Sequence, residues 1–152
     1  MSDTIRIRIS QGPSGPPGSD GSSTGSDTTA QTDSDVVPGT PVYATIGSHF
    51  DVAQASGLPQ ARAVGLATSA TLAGFAADVQ TQDILSLTAG QWDAVTGQVG
   101  GLTSGSTYWL DFVAGLLTTV PPALSASTHN TRVGVALTSV ALDIKIRAPI
   151  KL

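Results

Sequence analysis

From Val36 onward, apolar and polar residues alternate in short runs broken by Gly, Pro and Ser, and the period of two is that of half-buried strands. The alternation predicts strands over residues 42–46, 50–55, 62–68, 78–87, 106–112, 116–120, 131–137 and 142–147. Val64 and Leu66 point inward on the third, and Leu142, Ile144 and Ile146 share one face of the last. Val36-Val37-Pro38-Gly39 reads as a short strand and turn, residues 70–77 as an alanine-rich loop around Gly74, and residues 123–130 as a polar loop. Pro121-Pro122 stop one strand, and Pro149 ends the hydrogen bonding of the last. A single stretch breaks the period. Thr88 is a good N-cap, Gln91 three residues on completes a capping box, and Gly97 can end the turn in a left-handed conformation. Residues 88–112 also hold Trp92, Tyr108, Trp109 and Phe112, in a chain with two Trp, two Tyr and three Phe. Aromatic side chains bury the largest areas, so this stretch is expected to supply the centre of the core. About ten short strands with one short helical turn predict an all-β fold, a small antiparallel β-barrel or sandwich.

Before residue 36 the pattern changes. Residues 4–9 alternate strictly, with Ile5, Ile7 and Ile9 on one face of a strand and Arg6 and Arg8 on the other. A lone strand leaves its own backbone unpaired. It is either an extra strand on its own domain or an anchor that adds to a sheet in a partner. Residues 11–35 are rich in Gly, Pro, Ser, Thr and Asp, with glycines at 12, 15, 18 and 21. Period three with proline is the collagen pattern. So short a run reads as a flexible linker, although the period itself suggests a threefold assembly. The organisation is thus an anchoring strand over 1–10, a collagen-like linker over 11–35 that is disordered or extended, and a β-structured knob over 36–152. The knob contains an echo. Gly39-Thr-Pro-Val-Tyr-Ala is similar to Gly105-Ser-Thr-Tyr-Trp-Leu, and Arg62-Ala-Val-Gly-Leu-Ala to Arg132-Val-Gly-Val-Ala with one residue gapped. Two such halves could pair into one small barrel, the strand glycines marking a bulge or close backbone approach.

Composition narrows the chemistry. The chain has no Cys, which removes disulfides and thiolate metal sites. A net charge of −4 with only 12% charged residues argues against sequence-independent nucleic-acid binding. No apolar run reaches the ~20 residues of a membrane span, and none resembles a signal peptide, so synthesis in the cytoplasm is expected. His49 and His129 lie in different loops without ligand-type partners at metal spacing and read as exposed loop histidines. Asp93 and Asp111 flank the aromatic stretch, yet Asp93 fits the first helical turn and Asp111 a strand end, not a carboxylate pair in a cleft. No nucleophile elbow is present. No enzyme and no cofactor are expected. Trp92, Tyr108 and Trp109 are read as core, the alternative being a stacking platform for sugars.

A resemblance gives these pieces a context. Leu-Ser-Leu-Thr-Ala-Gly-Gln-Trp-Asp-Ala-Val-Thr-Gly over 85–97, then Gly-Leu-Thr-x-Gly-x-x-Tyr over 101–108, Gly-Leu-Leu-Thr-Thr-Val-Pro-Pro over 115–122 and Arg-Val-Gly-Val-Ala-Leu over 132–137 form an ordered series. The series resembles a C-terminal domain of tailed-bacteriophage head-fibre, capsid-decoration and tail-fibre-like proteins, and covers residues 36–152. The resemblance implies a homotrimeric β knob on the virion surface. It implies a capsid decoration protein or short head fibre whose arm, Ile5, Arg6, Ile7, Arg8 and Ile9, docks on the major capsid protein or another head protein. The alternative is a tail-fibre tip that binds a host receptor or surface glycan.

Overall fold

A computed structural model describes residues 27–123 and 128–151. The expected anchor strand over 4–9 and the glycine triplets lie outside the described residues. In chain order the elements are β1 (Asp27–Gln31), β2 (Pro41–Ala44), β3 (Phe50–Val52), β4 (Ala63–Ala67), β5 (Ala76–Gln80), β6 (Asp83–Ser86), α1 (Ala89–Thr96), β7 (Thr107–Leu110), β8 (Leu117–Thr118), β9 (His129–Asn130), β10 (Arg132–Ala136), β11 (Ala141–Ile144) and β12 (Ile150–Lys151). They form two five-stranded antiparallel sheets, ordered β1-β5-β4-β2-β3 and β6-β11-β10-β7-β8, and a small β9-β12 pair.

The two orders are the same arrangement written twice. β2 corresponds to β7, β3 to β8, β4 to β10, β5 to β11 and β1 to β6. The correspondence extends to single residues. Val42 faces Gly65 and Tyr43 faces Ala63, with Val64 bulged out of register between them. In the second sheet Tyr108 faces Gly134 and Trp109 faces Arg132, with Val133 bulged in the same place. Both glycines answer one demand. A Cβ on Gly65 would stand 2.5 Å from the Gln80 carbonyl oxygen, and one on Gly134 would stand 2.3 Å from that of Asp143. Gln80 and Asp143 are themselves equivalent, each opposite the residue that follows the glycine. The echo in the sequence is therefore a duplicated unit. It gives two sheets, not the single shared barrel that the echo suggested.

Each sheet wraps around a plug. In the first, Val42, Phe50, Ala67, Ala77 and Val79 close over Val36. A single bridge from Thr32 to Phe50 brings the two sheet edges together at one end, and the barrel is not closed beyond it. In the second sheet the place of the Val36 loop is taken by α1. Its Trp92 and Val95 pack with Leu85, Tyr108, Leu110, Leu117, Ala136 and Leu142. Tyr43, Ala63 and Leu66 belong to this larger core as well. Val42 and Tyr43 are successive residues of one strand, so the first sheet is buried on both faces.

Several expectations are corrected. The long strand expected over 78–87 is two strands in different sheets, because Asp83 takes a positive φ of 65° and turns the chain after Gln80. The helical turn is a two-turn helix of eight residues. Residues 27–31, expected within the linker, pair with Ala76–Gln80 along their whole length, so ordered structure reaches back to Asp27. Thr28 and Thr29 are β-branched and suit an edge strand that keeps one side in water. Residues 129–130 and 150–151, expected outside any strand, pair with each other. The remaining strands occur where expected and most are shorter, but β2 and β11 each start one residue early, β5 starts at Ala76 inside the expected loop, and the short strand expected at Val36-Val37 is reduced to an isolated bridge from Val36 to Thr71. Ile144 is buried with Leu142, and Ile146 packs on the same core.

Candidate functional site

The stretch that carries the resemblance folds into a clasp. Thr88 Oγ1 accepts from the Gln91 N–H at 3.2 Å, and the Gln91 side chain accepts from the Thr88 N–H at 2.9 Å. This is the expected capping box, and Gly97 ends the helix at φ 67°. Trp92 is fully buried and donates its indole N–H to the Val140 carbonyl at 3.0 Å. Asp93 does not sit in the first turn, where the helix dipole would favour its charge. Its carboxylate oxygens accept from the N–H groups of Gly100 at 3.1 Å and Gly101 at 2.7 Å. Tyr108, also fully buried, accepts from the Thr103 N–H at 2.8 Å and donates to the Gln98 side chain. Asp93, Gly101 and Tyr108 thus tie α1 to the loop over 97–105 and the loop to β7, while Trp92 ties α1 to the turn before β11. Trp92 and Tyr108 have no face open to a sugar. Asp111 caps the β7–β8 hairpin through the Val113 N–H at 3.3 Å and makes no pair with Asp93.

Trp109 is different. It follows Tyr108 on β7, so it projects from the opposite face of the second sheet, where it is only partly buried. Its cross-strand neighbours there are Arg132 on β10 and Thr118 on β8. The equivalent residues of the first sheet, Tyr43 and Ala63, are covered by the larger core. Arg132 Nε, Asn130 Oδ1 and His129 Nδ1 are shielded from water and have no hydrogen-bond partner. Of the seven Lys and Arg, Arg6 and Arg8 belong to the arm, and the other five are Arg62, Arg132, Lys145, Arg147 and Lys151. The Arg147 N–H donates to the Arg132 carbonyl and that of Lys145 to Val133. Lys151 pairs with His129. Arg62 lies beside Ala61, whose carbonyl accepts from Thr131 Oγ1 at 2.6 Å. An open groove of about 510 Å³ runs between Arg62 and Arg147, floored by Leu58, Val64, Ile146 and Pro149. Lys145 is paired with Asp143.

A second polar cluster, not anticipated from the sequence, lies at the β2–β3 hairpin. His49, read as an exposed loop histidine, holds Asp33 through Nδ1 at 2.8 Å. Thr45 Oγ1 donates to the same carboxylate at 3.1 Å, and Ser34 Oγ donates to Asp51 at 2.6 Å. The His49 contact holds the Asp33 carboxyl below its ordinary value, with Thr45 adding to the effect. Burial pushes the Tyr43 phenol up, and the nearby charges of Asp51 and Asp33 push it the same way. The hydroxyls of Ser34 and Thr45 are turned to carboxylates and not to His49, so the cluster fixes the hairpin and is not arranged to activate a nucleophile. A depressed carboxyl pKa contributes stability above the unfolded value of ~3.9 and loses it as pH falls through the folded value. Asp33→Asn should therefore melt slightly below the parent at pH 7, and the gap should close as both are titrated below about pH 4. A gap that stays constant to pH 2.5 would mean that the Asp33 charge contributes nothing.

The arm residues Ile5, Arg6, Ile7, Arg8 and Ile9 lie outside the described residues. Among the described residues, no group of three His or Asp side chains is placed to hold a metal ion. No helix among them is long and apolar enough to cross a membrane. No protein-family model and no curated protein matches the chain.

Proposed function

We propose that this protein is a non-enzymatic structural component of a tailed-bacteriophage particle, a homotrimeric capsid decoration protein or short head fibre on the capsid surface. Ile5, Ile7 and Ile9 form the anchor, and the acceptor is a sheet edge or groove of the major capsid protein or another head protein. The identification rests on the resemblance over residues 36–152. One structural observation supports an assembling role. Ile46, Leu72, Phe75, Val99, Val113 and Val120 are large apolar side chains left exposed on the single chain. Where such side chains lie side by side, as Leu72 and Phe75 do across one turn, a subunit that assembles would cover them. Burying an isoleucine contributes ~1.5–3 kcal/mol, so three in one arm give several kcal/mol, multiplied by effective concentration across a trimer. Replacing Ile5, Ile7 and Ile9 with Ser should leave a folded protein of unchanged mass that no longer binds undecorated particles. Binding equal to the parent's would place the contact in the knob.

The second reading, a tail-fibre tip that engages a receptor or surface glycan, is favoured by the open face around Trp109. Copy number separates the two readings. A decoration protein is abundant on each particle, and a tail tip is present in few copies.

A further inference from the structure

We infer that the outer face of the second sheet around Trp109 is a binding site for an acidic saccharide, with Arg132 receiving the carboxylate. Trp109 and Arg132 are direct cross-strand partners on a face that the chain itself leaves partly exposed. Facing residues of this kind lie within about 5.5 Å at Cβ, close enough for one small ligand to touch both.

Each group lacks something that such a ligand carries. Arg132 makes no ion pair with a described residue. A guanidinium binds a carboxylate through parallel N–H donors, so one carboxylate supplies the missing charge. Trp109 contributes a flat aromatic surface suited to the apolar C–H face of a pyranose ring. Arg147, whose N–H donates to the Arg132 carbonyl, adds positive potential beside the site in a chain whose net charge is −4. The combination selects an anion that also carries a stackable face. A bare anion would leave Trp109 unused, and a neutral sugar would leave Arg132 unpaired.

The duplication supplies an internal control. The first sheet carries Tyr43 and Ala63 at the equivalent positions and buries both, so the cation and the exposure appear together in one repeat only.

The test uses the full chain, a glucuronate-containing tetrasaccharide of hyaluronan and neutral chitotetraose, read by calorimetry and by tryptophan emission. Trp92 is fully buried, so a change on binding reports Trp109. The acidic saccharide should bind saturably, and at least about tenfold more tightly than the neutral one. Arg132→Gln should remove most of that preference, and Trp109→Ala should abolish binding. Both variants should keep the parent's melting curve within a few degrees. Absence of saturable binding by the acidic saccharide would overturn the assignment. So would equal affinity in Arg132→Gln, or binding of a tetra-aspartate peptide as tight as that of the saccharide. A fall in particle mass on light scattering of Arg132→Gln would instead show the face covered by a second copy of the chain. None of these results touches the arm, so failure here leaves the capsid-docking proposal standing.

Discussion

Trp92→Ala should lower the stability of the fold by about 3–5 kcal/mol, the cost of a large cavity in a core. The side chain is fully buried at the centre of the larger cluster, and removing it also strips the Val140 carbonyl of its indole donor. For a domain of this size each kcal/mol shifts the melting temperature by about 2–4 °C, so a fall on the order of 10 °C or more is expected. Trp109→Ala should cost about 1 kcal/mol, because part of that ring is already in water. Thermal melts of the two variants beside the parent decide the matter. Similar losses in both would mean that the outer face of the second sheet is covered in solution.

The second large effect is expected at Gly101. Its φ is +89°, and an added Cβ would lie 2.2 Å from the Ser139 carbonyl oxygen. Neither partner can move freely. The Ser139 carbonyl accepts the Leu102 N–H at 2.8 Å, and the Gly101 N–H is held by Asp93 at 2.7 Å. Gly101→Ala should combine left-handed strain of about 1–2 kcal/mol with overpacking of about 1–3 kcal/mol. Gly100 is the control. Its φ is +90°, but a Cβ there would meet nothing within 4 Å, so Gly100→Ala should show the strain alone. Denaturant titrations that give equal losses at the two positions would show that the loop shifts to relieve the clash.

Local rules were readable where one residue decides one bond. Thr88, Gln91 and Gly97 are set by capping chemistry, and all three play their expected parts. The echo around the strand glycines was readable because both units need a residue without a Cβ at the same crossing. What failed depends on position in space. Alternation over 78–87 cannot register a single residue at positive φ, so two strands read as one. The segment 27–31 has the composition of a linker, since an edge strand needs few inward apolar side chains. Tyr108-Trp109-Leu110 is apolar on both faces, so period alone could not say which aromatic lies inside. Arg132 could not be placed beside Trp109 from sequence, because the bulge at Val133 shifts the register that joins them. The sequence suggests a dipole role for Asp93 because its partners lie seven and eight residues ahead, beyond the reach of helix-end rules.

The duplication also bears on how the chain reaches this state. Every ladder of the first sheet joins residues between 27 and 80, and every ladder of the second joins residues between 83 and 144. No strand of either sheet waits for a backbone partner from the other. Chain closure is thereby confined to spans of about half the molecule, which lowers the contact order that slows most β proteins. On a ribosome the N-terminal sheet can complete its hydrogen bonding before Asp83 emerges. Its outer residues, Tyr43 and Leu66, then stay in contact with water until the later half arrives to cover them. The interval between those two events is when the nascent chain is most exposed to aggregation.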